Sequence, residues 1–216
     1  MNENDVLASW ADRAGEYSPD YYAHYGADER SERVRAHLDE RVDADAAVLE
    51  VGCSAGRHLE HLREAGYADL HGIEINETAF DVMADEYPDL FAAGTFHAAA
   101  VEDVFPDVAD DRYDAVFSVE TLQHVHPDNA WVFDDLVRVA RDLIVTVEIE
   151  TGEEGGPAPS ADAADDDANV NYVDDDVPLY YRDWASVLGD RGCEQIAAET
   201  VGNDTLRAFV PPAADD

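Results

Sequence analysis

Hydrophobic and polar positions alternate in blocks along the chain. Short apolar runs at 47–51, 70–75, 113–118 and 143–147 are separated by stretches whose apolar residues recur every three or four positions. Runs of the first kind predict strands buried on both faces, and the periodic stretches predict helices with one apolar stripe. A charged helix is expected over 28–41, with Val34, Leu38 and Val42 at helical spacing. A second helix runs over 57–65 and stops at Gly66, a natural residue for a helix end. Asn76 caps a third helix carrying Phe80, Met83 and Tyr87, which Pro88 closes. A short strand lies near 95–99. A helix from 128 to 141 places Val132, Leu136 and Ala140 on one face. The chain then predicts a helix over 181–190 and two last strands at about 193–200 and 204–210. Strands alternating with helices and ending in a strand pair predict an α/β protein with a parallel sheet and an antiparallel last strand.

Two segments fall outside this rhythm. Residues 1–27 read as irregular, with an aromatic cluster at Tyr17, Tyr21, Tyr22 and Tyr25 that either packs on the domain edge or covers a ligand. Residues 151–178 have no period, and their glycines, prolines and aspartate runs predict a flexible acidic surface loop.

The stretch 48–57, Val-Leu-Glu-Val-Gly-Cys-Ser-Ala-Gly-Arg, organises the rest. It reads as strand, tight small-residue loop and helix start. Gly52 and Gly56 let backbone approach a ligand closely, and the free N–H groups of the following helix point into the same space. A dinucleotide site wants Gly-x-Gly-x-x-Gly; the positions counted from Gly52 are Gly52, Ser54 and Arg57. Glu50, just before the first glycine, would repel a pyrophosphate and welcome a cation.

The stretch closely resembles motif I of the class I S-adenosylmethionine-dependent methyltransferases, of the type 11 and type 12 kind, with Ser54 in place of the middle glycine. The resemblance covers residues 28–150 strongly and 179–210 weakly. It implies a Rossmann-like, doubly wound seven-stranded sheet of order 3-2-1-4-5-7-6 with strand 7 antiparallel. It implies one methyltransferase domain over 28–212, with residues 1–27 covering the cofactor site. S-adenosylmethionine is the implied cofactor, held by Glu50, Gly52, Cys53, Ser54, Gly56 and Arg57 at the loop. Glu74, 22 residues beyond Gly52, would accept from the ribose hydroxyls, with Ile75 beside it. Val101 and Glu102, or its neighbour Asp103, would meet the adenine. Ser118 would be a further cofactor contact, and the segment from it to His126 would line the transfer site, where His124 or Glu120 could take a proton from the acceptor. His124 could equally pack or touch the cofactor, since many members transfer by positioning alone.

Composition narrows the setting. The chain has 216 residues, 51 acidic against 13 basic, and a net charge of −38. All 13 basic residues are arginine. So acidic a surface repels nucleic acid and anionic membranes, which leaves a small-molecule substrate as the expected partner. An Asp-rich chain without lysine resembles the cytoplasmic proteins of salt-accumulating halophilic archaea. Two cysteines, Cys53 and Cys193, fit a reducing cytoplasm. No apolar run approaches the roughly 20 residues of a membrane span. His124-Val125-His126-Pro127-Asp128 begins like a binuclear metallohydrolase pattern, but Asn129 breaks it and no second histidine cluster follows, so no metal is expected. Two other readings stand beside the methyltransferase: a nicotinamide-dependent oxidoreductase and a non-catalytic S-adenosylmethionine-binding regulator. Oligomeric state is not legible.

Overall fold

The structure, a computed structural model, describes residues 1–150, 170–173 and 177–213. The apolar runs form the strands β1 (Ala47–Val51), β2 (Asp69–Glu74), β3 (Thr95–Ala98), β4 (Tyr113–Val119) and β5 (Ala140–Glu148). β6 (Val170–Val173) and β7 (Val177–Tyr180) pair only with each other among the described residues, and β8 (Glu194–Val201) and β9 (Asp204–Val210) complete the main sheet. The order is β3-β2-β1-β4-β5-β9-β8, with seven strands among the described residues. The first five run parallel; β9 runs antiparallel to both β5 and β8. Since β8 and β9 are the sixth and seventh strands of this sheet, the expected order and the antiparallel seventh strand are both borne out. Every residue of β1 is buried, as a central parallel strand requires.

Helices cover both faces. On one side α3 (Glu29–Asp39), α4 (Arg57–Ala65), α5 (Thr78–Glu86) and α6 (Pro88–Ala93) bury Val34, Leu38, Leu59, Leu62, Met83 and Leu90. On the other, α8 (Val132–Val139) and α9 (Trp184–Gly189) bury Phe133, Leu136, Trp184 and Leu188. The chain order reverses between β1 and β4, and ligands of such sheets bind beyond the strand ends at that point.

The N-terminal segment is helical rather than irregular. α1 (Glu3–Ala11) is closed by a capping box between Asn2 and Asp5, and α2 (Pro19–Tyr25) by Ser18, whose hydroxyl accepts from the Tyr21 N–H, with Pro19 at the first position. These are local polar signals that a search for apolar periodicity passes over. Pro88 ends α5 but also begins α6, where its missing N–H costs nothing. The helix expected from 128 begins at Val132, after a 3-10 turn at Pro127–Asn129. The expected loop at 151–178 is partly strand: Val170–Val173 and Val177–Tyr180 form an antiparallel hairpin whose second strand is fully buried. Residues 151–169 and 174–176 lie outside the described part.

Candidate functional site

A cavity of about 420 Å³ opens at the reversal point of the sheet. Its floor is the end of β1 and the loop that follows. The loop turns through three residues in the left-handed region, Gly52 (φ 73°), Ser54 (φ 48°) and Gly56 (φ 83°). Ser54 therefore adopts the conformation a glycine would hold more cheaply. The absent Cβ atoms serve packing rather than a ligand. A Cβ on Gly52 would stand 2.1 Å from the Thr121 hydroxyl, and one on Gly56 would stand 2.8 Å from Leu90 and Met83. The expectation that these glycines open room for a ligand is thus corrected: the protein itself fills that space. Gly56 does not line the cavity, whereas Gly52, Cys53, Ser54 and Arg57 do.

Glu50 lines the floor and is 1% exposed, and its Oε2 has no hydrogen-bond partner. Burial pushes its carboxyl well above the usual range; the nearby Arg57 charge opposes the shift and Glu74 adds to it. Glu74, at the end of β2, closes the loop: Oε2 accepts from the Ser54 N–H at 2.8 Å and Oε1 from the Asn76 N–H at 2.8 Å. Burial raises its carboxyl too, against those backbone donors. Arg57 lines the cavity and is paired at its rim. Its guanidinium donates to the Gly26 carbonyl at 3.2 Å and to Asp28 at 3.0 Å, with the Tyr22 ring 5.3 Å away.

Ile75, Asn76, Ala99, Ala100, Val101 and Glu102 form one wall, where Val101 starts the short helix α7 (Val101–Val104). Glu102 accepts from the Asn129 side chain at 3.1 Å. The opposite wall is the segment after β4. Glu120 is left-handed (φ 53°), and burial and Asp204 raise its carboxyl while Arg30 draws it down. His124 is buried, and its Nδ1 lies 3.0 Å from the Pro178 carbonyl. A carbonyl only accepts, so Nδ1 carries the proton. Burial holds the ring neutral, its pKa lowered to about 4. Nε2 then carries the lone pair, with the Gln123 side-chain NH₂ 3.5 Å from it.

Ser118 was expected at the cofactor. It does not line the cavity: it is 1% exposed, and its hydroxyl donates to Glu148 at 2.7 Å. β4 is buried on both faces, and the partner its Ser118 side chain meets is Glu148 of the neighbouring β5 rather than the cavity. The other expected residues, Glu50, Gly52, Cys53, Ser54, Arg57, Glu74, Ile75, Val101, Glu102, Glu120 and His124, are brought to one cavity.

The roof was only partly legible. Val6, Leu7, Trp10 and Arg13 come from α1 and the turn after it, Tyr17, Pro19 and Tyr22 from the start of α2, and Tyr172, Val173 and Leu179 from the β6–β7 hairpin. The Trp10 ring lies 4.6 Å from His124, and the Asn76 side chain donates to the Arg13 carbonyl at 3.0 Å. Tyr17 and Tyr22 were flagged by their cluster; Trp10, Tyr172 and Gln123 carry no pattern of their own. Among the described residues no group of three or more His, Cys, Asp or Glu side chains could hold a metal.

Residues 48–142 match a family described as a methyltransferase domain. A curated relative, methyltransferase GfsG of Streptomyces halstedii, is 27% identical over 115 residues, which are 52% of this chain and 41% of that protein. The match therefore spans about two fifths of the relative's length. Magnesium protoporphyrin IX methyltransferase of Synechocystis PCC 6803, solved with bound S-adenosylhomocysteine, superposes with a TM-score of 0.67 at 16% identity, over 98% of this chain and 100% of that one. A chain from the complex of the Haloferax volcanii Trm112 methyltransferase activator with a methyltransferase gives 0.69 at 12%, covering 100% of both. At these identities the likeness is one of fold. The resemblance read from the sequence is borne out by the domain match and the fold together.

Proposed function

We infer that this chain, a class I S-adenosylmethionine-dependent methyltransferase by its domain match and its fold, holds the cofactor along the Glu50–Glu74 edge of the cavity and methylates a small molecule. The observation that carries the reading is Glu50: a buried carboxyl with an unpartnered oxygen, beside a loop whose one arginine already has a carboxylate partner in Asp28. That floor suits a cation and is hostile to a pyrophosphate. When bound, S-adenosylmethionine supplies an activated methyl on a sulfonium.

Glu50 answers the positive charge of the methionine end. Glu74 spends one lone pair of each oxygen on the loop and keeps others for the ribose hydroxyls. Val101 and Glu102 border the place for the adenine. The acceptor lies under Trp10, Tyr172 and Leu179, next to Glu120 and His124. His124, at a pKa of about 4, is a weak base at neutral pH, so its Nε2 orients an acceptor hydroxyl rather than removing its proton. Glu120, whose carboxyl burial and the neighbouring Asp204 raise above the usual carboxylate range, is the proton acceptor we assign. A roof of two helices and a hairpin favours a small acceptor over a macromolecule, and the net charge of −38 disfavours nucleic acid. We place the enzyme in a salt-rich, reducing cytoplasm, on its charge and its two buried free thiols.

The test is release of S-adenosylhomocysteine from labelled S-adenosylmethionine, in molar KCl, against fractions of the source organism's small molecules. In an active fraction Glu120→Gln should slow release about 10²-fold, the lower end for a lost general base, and His124→Ala less than that. Binding without release in any fraction would make the protein a regulator. Saturable binding of a nicotinamide dinucleotide in place of S-adenosylmethionine would make it an oxidoreductase.

A further inference from the structure

Residues 120–125 carry Gln123 and His124 onto the cavity wall, yet the segment has little regular structure beyond one 3-10 turn at Leu122–His124. Its backbone is buried, with Leu122, Gln123, His124 and Val125 all under 9% exposed. Buried N–H and C=O groups need partners, and backbone carbonyls meet only some of them here: Val147 of β5 accepts from the Glu120 N–H, Thr121 from that of His124 and Leu122 from that of Val125. Two charged side chains from distant parts of the chain meet others.

Glu148, the last residue of β5, is 0% exposed. Its Oε1 accepts from the Ser118 hydroxyl at 2.7 Å, the Leu122 N–H at 3.1 Å and the Thr121 N–H at 3.4 Å; its Oε2 accepts from the Gln123 N–H at 3.2 Å. Arg182, between β7 and α9, takes the other side. It donates to the carbonyls of Leu122 at 3.2 Å, Gln123 at 3.3 Å and Val125. Its guanidinium sits over the rings of Tyr180, Phe133 and Trp184 at 5.1, 5.3 and 5.8 Å. An anion thus collects the N–H groups of Thr121, Leu122 and Gln123 while a cation collects the C=O groups of Leu122, Gln123 and Val125. The two side chains it presents are tied in the same way: the Ile149 N–H donates to Gln123 Oε1 at 2.9 Å, and His124 donates to Pro178.

We propose that Glu148 and Arg182 are positioning residues, a buried anion and cation that grip the two hydrogen-bonding sides of 121–125 and so fix where Gln123 and His124 stand in the cavity. The grip rests on the functional reading only in naming that wall the acceptor side. Burial raises the Glu148 carboxyl to about 7 against the pull of its four donors, and above that pH the ionised form suits the position because a carboxylate only accepts. A guanidinium suits the other because its planar fork reaches several carbonyls at once, which a lysine ammonium on a flexible stem does not.

Glu148→Gln keeps the volume but turns an NH₂ toward one of these donors. The amide oxygen retained on the Ser118 side leaves the Gln123 N–H facing a second donor. Arg182→Lys keeps the charge and loses the fork. Ring proton NMR of His124 at about pH 8 in molar KCl, where Glu148 is ionised, with no cofactor or acceptor added, reads the outcome, so its failure is separable from failure of the cofactor assignment. In both variants, folded by circular dichroism, the His124 ring signals should shift or broaden relative to the parent as the ring loses its fixed place. Unchanged ring signals in both folded variants overturn the proposal. Amide hydrogen exchange on the unaltered protein covers the case in which the variants do not fold. The Leu122 and Gln123 amides should then be protected as strongly as those of β4, and exchange at the rate of exposed loop amides overturns the proposal.

Discussion

Glu50 and Glu74 were legible because one stands inside and the other ends an apolar strand, where a carboxylate has no structural reason to sit. The glycines were misread because a turn of small residues looks the same whether a ligand or a side chain fills the space; only Thr121, Met83 and Leu90 decide it. Glu148 and Arg182 were not legible at all, since apart from the Ser118 hydroxyl their partners are backbone groups 25 or more residues away and leave no mark in the side-chain pattern. Glu50 carries the first prediction at this scale. Burial favours its protonated form, and a bound cation favours the ionised one. S-adenosylmethionine should therefore release up to about one proton on binding, and its affinity should rise with pH above the usual carboxylate range. Calorimetry in buffers of different ionisation heat measures the release, which Glu50→Gln should abolish. His58 carries the second. It is buried with Nδ1 2.7 Å from the Ser31 hydroxyl, and burial lowers its pKa to about 3. The folded value lies below the unfolded one, near 6.5, so its contribution is present above pH 6.5 and is lost as pH falls toward 3. His124 acts in the same direction, down to about 4. Glu148 acts oppositely: its pKa is raised to about 7, so its contribution is present below the usual carboxylate value and is lost as pH rises through 7. Urea unfolding across pH should show His58→Gln with a shallower acid limb than the parent.

Among the elements, the parallel strands and α3, α4 and α5 were legible to within a few residues, because burial on two faces or on one stripe writes a strong pattern. The roof was not. α1 and α2 are declared by caps, Asn2 with Asp5 and Ser18 with Pro19, and carry few fully buried apolar residues. The β6–β7 hairpin is two four-residue strands within an acidic run, too short for alternation to stand out. The covering role we assign to α1 predicts a separation of stability from binding. Removing residues 1–12 takes away Val6, Leu7 and Trp10 but leaves the main sheet and its helices intact. S-adenosylmethionine should bind at least about tenfold more weakly, a loss of about 1.4 kcal/mol, while the melting temperature falls by only a few degrees. A collapse of the fold would make α1 part of the core instead.

For the whole molecule the dominant fact is charge. The arginines are largely engaged, with Arg30 on Asp204, Arg35 on Glu32 and Asp39, Arg63 on Glu60, Arg138 on Asp110 and Asp135, and Arg207 on Glu150. With 51 acidic residues and 13 arginines, at least 38 carboxylates have no arginine of their own. Their mutual repulsion is suppressed when the screening length is about 3 Å, near 1 M salt, and returns as it lengthens. The halophilic reading predicts that the fold loosens below a few tenths molar salt, where the screening length passes roughly 5 Å. Circular dichroism melts along a KCl series check this; a melting temperature unchanged from about 3 M to about 0.1 M, where screening lengths run from below 3 Å to about 10 Å, would count against it.

The central claim is that this cavity holds S-adenosylmethionine against Glu50 and Glu74, and its most direct test needs no acceptor. Titration calorimetry in molar KCl should show one saturable site for S-adenosylmethionine. Glu74→Ala removes the proposed ribose contacts, each worth about 1.5–3 kcal/mol when charge-assisted, and frees the Ser54 and Asn76 N–H groups. It should weaken binding about ten- to a hundredfold, at about 1.4 kcal/mol for each factor of ten, and Glu74→Gln, which keeps one acceptor, should lose less. A folded Glu74→Ala protein that binds S-adenosylmethionine as tightly as the parent would contradict the account.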